Sequence, residues 1–309
     1  MKSLAPTLAL TVRSLRVEAR AITPYVIRAF LVVCIVFAVW TAQQSSLFIS
    51  APGLELFGAI VFINFAFISI LGVSQFASVI TEEKEENTLG LLKMTSLSAL
   101  SILLGKSIGR LMTGVMLLLT QLPFAMLAIT LGGVSIEQVL LAYALLAAYM
   151  LLVYGVSLFA STIFSKSGWA AGGTVVLLIA FHLGPPIFWV WIDHLADERT
   201  ISRYGELYIL TNAAFEWFTE QYIPVALTKV LEIGFTPAEV IGPLAVHLGA
   251  ALVLVILAWV FFERFTRREV IDVPNRPALL ARKSSSPAGR KKPWRLIRNR
   301  SGPQPRRLP

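Results

Sequence analysis

The densest concentration of reactive side chains lies between Thr81 and Thr88, where Glu82, Glu83, Glu85 and Glu86 surround Lys84. Adjacent glutamates can serve an embedded hydrolase, or they can form a charged rim that selects a protein partner and speeds encounter. A hydrolase built on Glu82 and Glu83 would need a downstream arginine and intramembrane histidine motifs, and Asn87 and the scattered histidines do not supply them. The stretch is wedged between two apolar runs. A charged segment at a membrane face, docking a soluble partner, is the most economical reading, with Thr88, Lys106 and, on a second short loop at residues 161–168, Lys166 as further contacts.

Two other motifs carry less. Gly105-Lys106-Ser107 ends like a phosphate-binding loop, but that loop needs a glycine five residues before the second one, where Leu100 stands. This chain is therefore not expected to hydrolyse ATP by itself, and no cofactor is expected in it. His182, His194 and His247 lack metal-ligand spacing, and Asp193, His194, Asp197 and Glu198 read as a solvated acidic loop, so no metal site is expected.

These residues need elements to hold them. Of the 309 residues, 56% are hydrophobic and 15% charged, against about 25% charged in soluble domains. The bilayer is then the better solvent. About 20 apolar residues cross the hydrocarbon, and six runs qualify, at residues 24–41, 56–78, 107–131, 138–163, 169–191 and 240–262. Arg28 sits where its side chain can snorkel to the headgroups. The first run is read as a retained span rather than a signal peptide. Cys34, the single cysteine, reads as a small buried hydrophobe.

Loop charges orient the spans. Lys2, Arg13, Arg16 and Arg20 precede the first span, whereas residues 42–55 and 132–137 hold no Lys or Arg. Residues 193–239 carry eight acids against three bases, and the segment after Phe262 carries fourteen bases. Alternation places both termini in the cytoplasm, in a cell inner (plasma) membrane. Before the first span, Leu8, Val12, Leu15 and Ala19 share one helical face and Arg13, Arg16 and Arg20 another, a pattern for a helix lying at the interface. The net charge of +9 is concentrated in the Pro- and Ser-rich tail, which has eleven bases and no acid after residue 272. That tail is expected to be disordered, beside anionic lipids, and no nucleic acid is expected because no recognition module accompanies the charge.

Taken together, Glu83-Lys84-Glu85, Thr88-Leu89, Leu91-Leu92, the turn at 95–98 and Gly105-Lys106 resemble the motif between the second and third spans in membrane subunits of type-2 ABC transporters. Asn87 stands where that family has glycine and Ser96 where it has proline; asparagine is the next residue able to form a left-handed helix cap. The resemblance covers about residues 5 to 265. It implies an all-α integral membrane protein: an amphipathic interfacial helix (1–23), a six-span permease domain (24–265) with a coupling loop (80–106) and a large outer loop (193–239), and a basic tail (266–309). It implies a dimer with a second permease subunit, identical or similar, and a separate cytosolic ABC ATPase that binds ATP and Mg and drives transport, with export as the expected direction. The outer segment 212–224 is expected to form re-entrant helices.

Within the spans, Asn64, Phe65 and Phe67 on the second, and Thr174, Phe181 and His182 on the fifth, are the expected substrate-path residues, since polar groups in spans often line cavities. Gly105 with Gly109, and Gly168 with Gly172, have close-packing spacing. Pro123 should kink the third span near Thr120 and Gln121, and Pro185-Pro186 should end or break the fifth. The alternatives are an ion-coupled secondary carrier, which needs ionisable groups near the bilayer midplane that these spans almost lack, and the embedded hydrolase.

Overall fold

The computed structural model describes residues 4–45, 52–94, 98–198, 202–232 and 234–271. The basic tail from residue 273 and most of the turn at 95–98 lie outside the described residues. Those described form helices and no strand: α1 (Leu4–Glu18), α2 (Thr23–Ser45), α3 (Pro52–Phe67), a π-helical turn (Ile68–Gly72), α4 (Val73–Glu85), α5 (Leu89–Met94), α6 (Ala99–Leu119), α7 (Leu122–Leu131), α8 (Ile136–Ile163), α9 (Ser167–Asp197), α10 (Glu206–Gln221), α11 (Ile223–Val230) and α12 (Ala238–Ile271). Six helical stretches are long and apolar enough to cross a membrane: Thr23–Thr41, Pro52–Glu85, Ala99–Leu131, Ile136–Ile163, Ser167–Asp197 and Ala238–Thr266.

Helix α8 is the central post, packed against α12, α4 and α9. Of the residues in its apolar window 67% are buried, against 11% for α9. The outer faces of α2, α9 and α12 stay apolar and exposed, as at Val33, Val176, Ile187 and Val253, which suits a hydrocarbon solvent. A capping box starts α8: the Ser135 hydroxyl accepts from Gln138 N–H (3.1 Å), and Ser135 N–H donates to Gln138 Oε1 (2.8 Å). Close approaches depend on glycine. A Cβ on Gly53 would meet the carbonyl oxygens of Ala128 and Gly132 at 2.2 Å, so α3 and α7 pack backbone to backbone.

The expected kink in the third span is a break. Helix α6 stops at Leu119, Gln121 caps α7, and Pro123 occupies the first turn of α7, where its missing N–H costs nothing. The expectation at Pro185-Pro186 is corrected, because α9 runs unbroken through both. Proline's fixed φ is compatible with a helix, and neighbouring elements can hold such a segment straight; Pro185 packs in the cleft between α9 and α10 with Trp189 and Phe215. The second span also reaches further than expected, to Glu85. Its acidic residues sit on the helix itself, not on a loop.

Candidate functional site

The end of α4 is built as a cap. Glu86 N–H bonds to the Glu82 carbonyl (2.9 Å), Asn87 N–H to that of Lys84 (3.2 Å) and Thr88 N–H to that of Glu83 (3.0 Å). Asn87 has φ of 56°, the left-handed position of a Schellman motif, in which asparagine is tolerated because its short polar side chain can bond locally. The turn aims Thr88 back at the helix, where its hydroxyl donates to the Glu83 carboxylate. The other Glu83 oxygen takes Lys106 of α6 in an ion pair. Glu83 is 8% exposed. Of the four glutamates expected on the docking rim, this one is engaged inside the protein.

Its neighbours stitch α4 to the turn between α8 and α9. Lys84 Nζ donates to the carbonyls of Thr162 (2.8 Å) and Phe164 (2.9 Å) at the end of α8, the negative pole of that helix. Glu85 Oε1 accepts from Ser167 N–H (2.6 Å) at the start of α9, the positive pole. Ser161 Oγ accepts from Ile80 N–H (2.9 Å), and the Thr81 and Ser167 hydroxyls lie 2.9 Å apart. The two short charged segments, expected as separate contact places, therefore form one block.

A residue missed in the sequence ties this block to the first helix. Arg110 on α6 reaches Glu18 of α1 through Nε (3.1 Å), the Gln75 carbonyl through Nη1 (2.6 Å) and Glu82 through Nη2 (2.5 Å), and also bonds the Ser78 hydroxyl. Its side chain is only 14% exposed. The signal was available: a guanidinium inside an apparently apolar run needs a partner, and Arg110 lies one turn past Lys106 on the same helix face. Helix α1 closes in further through Ser14 Oγ, which donates to the Gly105 carbonyl (3.0 Å) and sits where a Cβ on Gly109 would reach it at 3.0 Å. That is the packing expected of the Gly105–Gly109 pair. By contrast, a Cβ on Gly168 or Gly172 would meet nothing within 4 Å.

The outward surface of the block carries Glu82, Glu85, Glu86 and Lys166, with Arg13 and Arg16 of α1, and Arg20 just beyond it, also exposed. These charges are borne on helices tied together by ion pairs and hydrogen bonds.

The six residues expected along a substrate path separate into different places. Asn64 is fully buried and exchanges side-chain hydrogen bonds with Gln121. Thr174, also buried, donates to the Ala170 carbonyl (2.8 Å), and Phe67 packs on Phe30 of α2 (5.7 Å). Phe65 and His182 do line a common cleft of about 220 Å³ with Ser69, Tyr149, Leu178 and Ile179. Phe181 backs it, its ring 5.3 Å from that of His182. The π-helical turn at Ile68–Gly72 forms part of this wall; such turns insert one residue and re-aim the side chains that follow.

On the opposite side, α10 and α11 occupy the long segment before α12. Asp193 and Asp197 are paired with Arg203, and Tyr208 donates to Asp193 (3.0 Å), a bond that pushes its phenol above the usual range. Among the described residues no three His, Cys, Asp or Glu side chains gather as metal ligands. No protein-family model matches the chain, and no curated protein matches it significantly.

Proposed function

We propose that the chain is the permease subunit of an ATP-driven transporter of the type-2 ABC class, working as an exporter. Two copies, or this chain and a similar one, form the path across a plasma (inner) membrane, with both termini in the cytoplasm. A separate cytosolic ATPase binds ATP and Mg and docks on the block around Glu82–Glu86 and Lys166.

The observation that carries this reading is the construction of that block. A lever must transmit displacement without bending, and here four acidic or basic side chains of α4 are fastened to α6, α8 and the start of α9, with Arg110 of α6 extending the tie to Glu18 of α1. A merely solvated loop would have no use for drawing Glu83 inward onto Lys106, because taking a charge out of water costs several kcal/mol before pairing offsets it. Exposed Glu85, Glu86 and Lys166 supply the polar rim of an interface.

Affinity purification of the full chain from its native membrane tests the proposal. An ATPase subunit should be recovered in equal amount, and ATP should drive transport in vesicles. Recovery with no ATPase, together with transport that runs on an ion gradient alone, would sink it.

A further inference from the structure

We infer that the cleft between α3, α8 and α9 is a binding site for an aryl-alkyl ammonium: a flat apolar body carrying a primary amine head. This deepens the transport reading by naming a substrate class, and it rests on that reading for its role though not for the binding itself.

The centre of the site is His182, near the middle of α9. Four rings surround its imidazole: Phe181 at 5.3 Å, Tyr222 at 5.4 Å, Tyr149 at 5.8 Å and Phe65 at 6.3 Å between centroids. Its Nδ1 lies 2.8 Å from the Leu178 carbonyl. A carbonyl only accepts, so Nδ1 carries the proton, and in the neutral ring Nε2 is left as a lone-pair acceptor. Among the described residues nothing donates to it.

The hydroxyl pair beside it reads the same way. Ser69 has one proton, and its Oγ donates to the Phe65 carbonyl (2.8 Å). In the 2.8 Å contact between Ser69 Oγ and the Tyr149 hydroxyl, the phenol is therefore the donor. With its proton committed, the Tyr149 oxygen is left as an acceptor, though the residue itself is buried, at 1% exposure.

The cleft thus offers an acceptor at His182, aromatic faces and no side chain of either charge among those lining it. A carboxylate or phosphate would find no donor. An ammonium finds the lone pair at Nε2, and its charge is attracted to the negative faces of the rings that line the cleft. Both contributions matter inside a span, where an unpaired charge is costly. The apolar remainder, Leu178 and Ile179, suits a hydrocarbon body, and about 220 Å³ holds a two-ring ligand.

The test uses the full chain in nanodiscs of phosphatidylcholine without ATPase, with empty nanodiscs as background. Three probes share one body: 2-(1-naphthyl)ethylammonium, its N-trimethyl analogue and 3-(1-naphthyl)propanoate. The primary amine should bind saturably, the trimethyl form about tenfold more weakly through loss of charged hydrogen bonds, and the propanoate not at all. His182→Phe keeps a ring and removes the acceptor; it should bring the amine down to the trimethyl analogue and leave the latter unchanged, whereas His182→Gln keeps an acceptor and keeps the preference. Equal binding of amine and propanoate, absence of saturable amine binding, or a folded His182→Phe chain with affinity within about twofold of the original would overturn the inference. If His182→Phe does not fold, the probe comparison on the unaltered chain decides alone. Since no ATPase is present, failure here leaves the docking proposal standing, and failure of ATPase recovery leaves this site standing.

Discussion

Asn64 and Gln121 hold each other by two reciprocal side-chain hydrogen bonds, each amide nitrogen donating to the other's oxygen, with both residues fully buried. Gln121 is the cap residue at the break between α6 and α7, so the pair fastens α3 to the third span at the point where that span's own hydrogen bonding is interrupted. Asn64 also donates to the Ile60 carbonyl (2.9 Å). The pair is a lock between helices, away from the cleft that Phe65 helps to line.

Removing one half of the lock should cost more than removing both. Asn64→Leu leaves Gln121 buried with an unmatched amide, a loss of about 1–3 kcal/mol. The double change Asn64→Leu with Gln121→Leu replaces polar by apolar groups and should recover part of that loss. Unfolding midpoints of the four forms in one detergent form the cycle. Additive losses would mean that the two amides do not depend on each other.

Arg110→Ala should loosen α1 in particular. It removes the charged hydrogen bonds to Glu18 and Glu82 together with that to the Gln75 carbonyl, and each bond to a charged group contributes about 1.5–3 kcal/mol. Hydrogen exchange of α1 amides should accelerate at least about tenfold while that of α8 holds. Arg110→Lys should rescue little, since an ammonium cannot span three directions as a guanidinium fork does. Unchanged exchange in α1 would show that Ser14 and apolar packing hold the helix alone.

Docking and rigidity are separable by which charge is altered. Glu86→Lys with Lys166→Glu changes exposed groups and should lower ATPase affinity about tenfold with a changed salt dependence, leaving the thermal midpoint in place. Glu83→Gln weakens the half-buried pair with Lys106 and should lower the midpoint. If the exposed pair of changes leaves ATPase binding and transport intact, the partner docks elsewhere.

Orientation follows from the loop charges. Single cysteines placed at residues 86 and 202, in a chain with Cys34→Ser, should be labelled by an impermeant maleimide from opposite sides, 86 from the cytoplasm and 202 from outside. Labelling of 86 from outside would reverse the topology and remove the docking proposal. The purified complex should contain two membrane and two ATPase subunits by mass; a transporting monomer would rule that assembly out.

The helices were legible because their cause is local. An apolar run of span length dictates a helix, since backbone groups in hydrocarbon must bond within their own segment. A left-handed cap was legible at Asn87 for the same reason: it depends on one residue's own φ and on neighbours within five positions. The first helix likewise followed from its periodicity, whereas Pro123 suggested a kink and the structure has a break at Gln121.

What only the tertiary structure decided is which side chains meet. Glu83 looks like its acidic neighbours in sequence, yet it turns inward to Lys106 while Glu85 stays exposed, because residues two apart lie on opposite sides of α4 and that helix's rotation is set by packing on α8. Arg110 was hidden in an apolar run whose partners come from 28 to 92 positions away. Asn64 and Phe65, adjacent in the chain, part company for the lock and the cleft, since consecutive helical residues point about 100° apart. Pro185-Pro186 did not break α9, because a helix supported by neighbouring elements tolerates what an isolated one would not. Hydrophobic length is a property of one segment; registry between segments depends on backbone approaches such as Gly53 against α7 and Gly155 against α12, which no single run of residues contains.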